Sequence, residues 1–347
     1  SQYPLWLDCF CDKYNTIALF WFGQWFQHLD SWVRMWGLSQ VPSGVLYIGI
    51  LSLLIAVVNL PFSAYSTFVI EENFGFNQTT WSTFIKDKIK GFGLSLILGG
   101  PLLFCVLAFF EFAGTSAWLY CWGAVTIYML VVQFIAPAWI MPLFNRFNIL
   151  EEGELKDEIL AYARSINFSL DNIFIMDGSR RSSKSNAFFT GFGRYKRIVL
   201  FDTMVEKHTI AELVAVLAHE MGHFKKKHIL KSLLISIGQS GLMFYLLSIV
   251  ITYPGLFEAF FVKTPSVYTG LVFFAILYSP FDVITGLFLG VLSRKNEYEA
   301  DQFAVATTKN PQAMTAALKN LSVHNLTNLR PHPFYVFLNY SHPPVLA

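Results

Sequence analysis

Five stretches of the chain stay apolar for long enough to cross a bilayer, and no other feature constrains the fold as tightly. They lie near 42–70, 91–112, 116–140, 229–252 and 267–292. Each reaches the about 20 residues that a helix needs to traverse the hydrocarbon core. In that medium every backbone N–H and C=O has to be satisfied within its own segment, so each run predicts a helix. Composition agrees, since 54% of the 347 residues are hydrophobic and only 14% are charged. Soluble domains carry about a quarter charged residues, so the chain lacks the polar material to clothe a water-soluble globule. It reads as a predominantly α-helical, polytopic membrane protein. A sixth stretch, near 15–36, carries Gln24, Gln27, His28, Asp30 and Arg34. It is either a span lining a polar interior or an interfacial amphipathic helix, and the span is preferred.

The connections between spans orient the chain. Residues 71–90 hold three Lys/Arg, 141–228 hold thirteen and 293–347 hold five, whereas 113–115 and 253–266 hold Lys263 alone. The positive-inside rule places the three basic segments in the cytosol. Four parts result: an N-terminal transmembrane region (1–140), a cytosolic segment (141–228), a transmembrane hairpin (229–292) and a C-terminal segment (293–347). The formal net charge is only +2, and no basic block is interleaved with aromatics, so nucleic acid is not an expected partner. Cys9, Cys11, Cys105 and Cys121 form no paired C-x-x-C pattern and read as reduced thiols.

The cytosolic segment has room for a small α+β fold. Leu155, Ile159, Leu160 and Ala163 share one face of a helix over 151–167. Asn172–Met176 reads as a strand before the turn Asp177-Gly178-Ser179. Asn186–Thr190 and Arg197–Phe201 read as a strand pair around Gly191-Phe192-Gly193. A helix then runs from Thr209 through His223.

That last helix carries H-E-x-x-H as His219-Glu220-Met221-Gly222-His223. The i, i+4 spacing puts both imidazoles on one face, where they can hold one zinc ion. Glu220 can reach a metal-bound water and take its proton. Catalytic zinc takes three protein ligands and keeps one open position. Residue 229, ten after His219, is Ile, and His228 is out of that register, so His228 reads as a surface or interfacial residue. The third ligand is instead sought downstream, in the E-x-x-A-D run Glu297-Tyr298-Glu299-Ala300-Asp301. Glu297 is the expected ligand, and Asp301, one turn later, can accept a ring N–H from a zinc histidine. Glu299 points to another helical face and reads as a solvated charge. The two intervening spans form a hairpin that brings the ligands together and places zinc at the cytosolic membrane boundary.

The pairing of H-E-x-x-H with E-x-x-A-D resembles the membrane zinc proteases that include the type I CAAX prenyl endoproteases and the bacterial heat-shock protease HtpX. Further segments resemble the prenyl endoproteases: Phe68-Val69-Ile70-Glu71-Glu72-Asn73-Phe74-Gly75-Phe76-Asn77, Ala136-Pro137 with Pro142-Leu143-Phe144-Asn145-Arg146-Phe147, Asp177 through Phe189, Arg197 through Thr203, and Ser341-His342-Pro343-Pro344. The resemblance covers most of the chain from about Ser63 onward. It implies transmembrane helices around an internal chamber, a small α+β zinc metalloprotease domain at the cytosolic face, and one zinc per chain. The implied activity is removal of the C-terminal tripeptide from prenylated CAAX proteins, with a second upstream cut in some members. By the same resemblance, His219, His223 and Glu297 bind zinc and Glu220 is the base. Asn186 lies on a strand where an extended peptide can pair, and His342 holds the substrate carbonyl or the developing oxyanion. The lipid bilayer is the setting, and the endoplasmic reticulum with the contiguous nuclear membrane is the implied location. The family has seven helices and an arginine after S-H-P-P. A further helix is therefore expected before residue 1 and the arginine beyond Ala347, as in a chain with trimmed ends.

His324 and His332 match nothing in that pattern and read as surface residues. Asp282 either lines a water-filled chamber or closes a helix break after Pro280, and Gly99-Gly100-Pro101 reads as a kink. Two rival functions share parts of this reading: an HtpX-type quality-control protease with the same metal site, and a non-enzymatic membrane metalloprotein. A structural zinc site would be closed by four protein ligands, and no obvious fourth accompanies His219, His223 and Glu297.

Overall fold

The computed structural model describes residues 20–170, 172–190 and 197–345. Cys9, Cys11, the first residues of the 15–36 stretch and the Gly191-Phe192-Gly193 connection lie outside the described residues. In chain order the helices are α1 (Trp25–Arg34), α2 (Gln40–Glu71), α3 (Trp81–Phe112), α4 (Gly114–Phe144), α5 (Glu154–Ser165), α6 (Asp202–Lys207), α7 (Ile210–Lys225), α8 (His228–Val250), α9 (Pro254–Glu258), α10 (Val267–Thr308), α11 (Pro311–His324) and α12 (Pro333–Asn339). The strands are β1 (Phe147–Ile149), β2 (Asn172–Met176), β3 (Ala187–Thr190) and β4 (Arg197–Phe201).

The five apolar runs are all helices. Among the described residues, α2, α3, α4, α8 and α10 are long and apolar enough to cross a membrane. Helix α3 starts at Trp81 and so takes in Lys86, Lys88 and Lys90, which the sequence reading left in a loop. Three of these helices contain a wide π turn, at Ser66–Glu71, Ser95–Gly99 and Ala136–Ile140. Proline lacks an N–H and crowds the preceding turn, and widening the turn accommodates it. Pro101 follows the second π turn and Pro137 lies in the third. Gly99-Gly100-Pro101 is thus a wide turn in a continuing helix. Helix α10 likewise runs unbroken through Pro280, so Asp282 closes no helix break. The described part of the 15–36 stretch has its longest helix in α1, with ten residues. At 1.5 Å per residue it covers about 15 Å.

By compactness the chain divides into two units. One comprises Ser1–Ile70, Ile85–Leu130 and Ile235–Asp282; the other comprises Glu71–Phe84, Val131–Leu234 and Val283–Ala347. In the first unit α1 buries Phe26, Asp30 and Val33 against a core that includes Tyr47, Leu107, Tyr268 and Phe273. Burying Asp30 would be costly without partners. It accepts hydrogen bonds from the Tyr268 hydroxyl at 2.6 Å and from Arg34 Nε at 2.9 Å.

The second unit holds a four-stranded sheet of order β1-β2-β4-β3. Strand β2 runs parallel to β4, pairing Phe174 with Val199, whereas β1 and β3 are antiparallel to their neighbours. Ile198, Val199 and Leu200 are all buried, as expected of an inner strand covered on both faces. The core joins Ile198 and Leu200 to Ile159 and Ala163 of α5, Leu213, Leu217 and Met221 of α7, and Ala317 of α11. The expected α5, β2, β3, β4 and α7 are all present, and β3 forms an edge.

Candidate metal centre

The sequence sets where α7 begins. Thr209 Oγ1 accepts from the Glu212 N–H at 3.4 Å, and the Thr209 N–H donates to Glu212 Oε2 at 3.1 Å. This reciprocal cap satisfies two N–H groups that a helix start leaves open. Glu212 is also held by His208 Nδ1 at 3.1 Å and by Asn320 Nδ2 at 2.9 Å. From that anchor α7 buries Leu213, Leu217, Ala218 and Met221. It turns His219, Glu220 and His223 toward α10.

The close approach of α7 to α10 depends on small residues. A Cβ on Gly222 would stand 3.1 Å from Phe303 Cδ1 and 3.2 Å from the Ala300 carbonyl oxygen. Ala300 itself is fully buried. A variable position of the first motif, Gly222, and the alanine of the second, Ala300, thus form the contact that lets the candidate ligands meet.

His219 Nε2 lies 3.0 Å from His223 Nε2. Glu297 Oε2 is 3.3 Å from His219 Nε2, and Glu297 Oε1 is 3.5 Å from His223 Nε2. A tetrahedral zinc with ligands about 2.05 Å away would space its donors about 3.3 Å apart. The three separations bracket that value, and two imidazoles with one carboxylate are a donor set that zinc takes. The residues fit the ion. Asp301 Oδ1 receives the far ring N–H of His219 at 2.7 Å, which leaves Nε2 free to ligate.

Glu220 is half-buried beside these donors. Burial pushes its carboxyl pKa up, against the pull of the neighbouring His219 and His223. A base whose pKa moves toward neutrality suits proton transfer. These groups open into a cavity of about 350 Å³ whose lining includes Asn186, Ala187, Met204, Val216, Leu318 and His342. His342 is exposed, with Nε2 3.5 Å from Glu297 Oε1.

Asn186 immediately precedes edge strand β3. Its carbonyl accepts from the Phe201 N–H at 3.0 Å. Alternation in an antiparallel pair then points the N–H and C=O of Ala187 away from β4. The Ala187 N–H is taken by Asn186 Oδ1 at 2.9 Å. Asn325 braces the approach to this strand, accepting from the Ser185 N–H at 3.1 Å and donating to its carbonyl at 3.2 Å.

The family pattern described as peptidase family M48 matches residues 150–347, and that described as CAAX prenyl protease N-terminal, five membrane helices, matches residues 5–146. The chain belongs to the M48 peptidase family. It is 37% identical over 331 residues to CAAX prenyl protease 1 of Saccharomyces cerevisiae, covering 90% of this chain and 72% of that protein. The Homo sapiens CAAX prenyl protease 1 homolog is 34% identical over 346 residues, covering 88% and 73%. The crystal structure of S. mikatae Ste24p superposes with a TM-score of 0.89 at 34% identity, over 95% of this chain and 81% of that one. As an M48 member with five apolar spans, the protein is an integral membrane metalloendopeptidase. Family membership removes the non-enzymatic reading.

Within this M48 fold, two motif segments noted in the sequence dock on each other. Gln78 N–H donates to the Arg181 carbonyl at 3.0 Å and Ser183 N–H to the Phe76 carbonyl at 3.0 Å, with Asn77 bridged to Ser182. Lys184 reaches Glu71 Oε1 at 3.1 Å and lies 4.6 Å over the Phe76 ring.

Three sequence expectations are corrected. His228 is not a surface residue: it is 3% exposed. Its Nδ1 lies 3.0 Å from His223 Nδ1, and its Nε2 lies 3.1 Å from Glu299 Oε2. Lys227 adopts a left-handed φ of 60° after the end of α7 and swings His228 back under His223. Helical periodicity cannot anticipate such an i, i+5 meeting. Glu299 is accordingly no merely solvated charge. His324 is partly buried, its ring edge-on to His208 at 5.6 Å. His332 is exposed as expected and caps α12 by accepting from the Phe334 N–H at 3.2 Å. Cys105 and Cys121 are free thiols.

Proposed function

We propose that this M48 peptidase is a zinc endopeptidase that removes the C-terminal tripeptide of prenylated CAAX proteins, with a second upstream cut on suitable substrates. The observation that carries the reading is the zinc-compatible spacing of His219, His223 and Glu297 beside Glu220. It occurs in a chain whose relatives at 34–39% identity are CAAX prenyl proteases. One zinc, when bound, polarises the scissile carbonyl and acidifies a water. Glu220 takes the proton of the attacking water and delivers it to the departing amine, which leaves as the C–N bond breaks. Asp301 holds His219 in the ligating tautomer. The outward C=O of Ala187, with the amide of Asn186, pairs with an extended substrate along the open edge of β3. His342 donates to the carbonyl oxygen as it gains charge. The basic connections face the cytosol, and the endoplasmic reticulum with the contiguous nuclear membrane is the location.

The test is cleavage of a farnesylated CAAX peptide and its unprenylated twin by the wild type and by Glu220→Gln, with zinc measured in both proteins. Zinc in both is expected, with the farnesylated peptide cut by the wild type and cleavage reduced at least about a hundredfold in the variant. Equal cleavage of the two peptides would reject the substrate class. Undiminished cleavage by Glu220→Gln would reject the base.

A further inference from the structure

We propose that His228 and Glu299 are positioning residues that hold the proton of His223 on the ring nitrogen facing away from the metal. The inference rests on the zinc site read above and deepens it. The argument follows from counting protons. His223 Nε2 faces the common point of the donor set, 3.0 Å from His219 Nε2 and 3.5 Å from Glu297 Oε1. A neutral imidazole that offers Nε2 to a metal carries its proton on Nδ1. That Nδ1 lies 3.0 Å from His228 Nδ1, and two ring nitrogens at this distance share a single proton. When His223 donates it, His228 Nδ1 accepts, and the proton of neutral His228 sits on Nε2. There Glu299 Oε2 accepts it at 3.1 Å.

The opposite arrangement closes the site. A proton on His228 Nδ1 would make His223 Nδ1 the acceptor and move the proton of neutral His223 to Nε2, where it blocks ligation. Glu299 is a carboxylate, which accepts and does not donate when ionised, so it selects the open arrangement. Burial leaves His228 little water to replace either partner, since its side chain is only 4% exposed. The two metal histidines are therefore fixed by different means. His219 meets Asp301 directly, whereas His223 meets its carboxylate through a second imidazole. The relay ties together the end of α7, the start of α8 and α10.

The experiment measures zinc dissociation constants by chelator competition on the full chain in detergent, together with the visible spectrum of the Co2+-loaded protein. His228→Leu should weaken zinc binding about ten- to a hundredfold, the cost typical of losing a ligand's outer partner, and should shift the Co2+ bands. His228→Asn, which keeps an acceptor near the Nδ1 position, should recover most of the loss. Glu299→Ala should weaken binding by up to about tenfold and should add nothing in the His228→Leu background, because the two act as one chain. Wild-type affinity in His228→Leu, or losses from the two substitutions that simply multiply, would overturn the relay. Glu299 is partly exposed, so Glu299→Ala keeps the test decisive if His228→Leu does not fold: unchanged affinity and an unchanged Co2+ spectrum there would also overturn it. A wild-type chain that binds no zinc would overturn the relay and the site reading together. Zinc binding that is lost in His223→Ala but unaffected by His228→Leu would overturn the relay alone.

Discussion

In the metal-free chain, burial disfavours a charged His219, yet hydrogen bonds to Asp301 and Glu297 outweigh it and push the imidazole up to about 10. Below that pH the ring holds a proton that a metal has to displace. The sign follows directly. The folded pKa exceeds the ordinary value of 6.5, so the proton stabilises the metal-free fold fully below about 6.5 and ceases to do so as pH rises through about 10. Zinc uptake near pH 7.5 should therefore release about one proton from His219. Apparent zinc affinity should rise about tenfold per pH unit between roughly 7 and 9. Calorimetry of zinc binding in buffers of differing ionisation enthalpy reads the proton count directly, and a heat independent of buffer would contradict it. At this scale the sequence was informative wherever chemistry follows a helical repeat. His219 and His223 are one turn apart, as are Glu297 and Asp301. His228 escaped because its position depends on one left-handed residue between two helices.

The helices α7 and α10 meet where neither motif specifies a ligand. Gly222 faces Ala300 and Phe303 so closely that an added Cβ falls at 3.1–3.3 Å. Gly222→Val would push the helices apart, with overpacking costs of about 1–3 kcal/mol. It should weaken zinc binding more than it lowers the thermal stability of the zinc-free chain. Zinc titration beside thermal unfolding checks this, and unchanged zinc affinity would show that the crossing does not set the donor spacing. Helix α5 was legible because apolar residues such as Ile159 and Ala163 repeat on one face of it. Strand β1, with three residues, and helix α6, with six, are too short to show a period and were not anticipated. The start of α3 was misjudged because its first turns are polar while the backbone is already helical.

The whole molecule joins segments far apart in sequence, and a metal held by His219, His223 and Glu297 would add one more tie between α7 and α10. A ligand that binds the folded state alone stabilises it by mass action, so chelation should lower the unfolding temperature of the wild type. The same drop is expected in Glu220→Gln, which keeps every ligand, whereas His223→Ala should start low and respond little. Thermal unfolding with and without chelator distinguishes these cases, and a chelator-insensitive wild type would show that zinc is not a structural tie. The long apolar runs made the membrane class legible at once. The partition into two units was not, because each unit draws on three separated stretches of chain and nothing in local pattern marks such interleaving.

The docking of Phe76 and Gln78 on Arg181 and Ser183 bears on how such an enzyme can be inherited. A piece starting after α4 would keep every group named in the chemistry. It would nevertheless leave the Ser183 amide and the Arg181 carbonyl without their partners from more than a hundred residues upstream. The peptidase is thus no cassette that recombination could lift out and graft onto another anchor. Its two halves have to travel, and diverge, together.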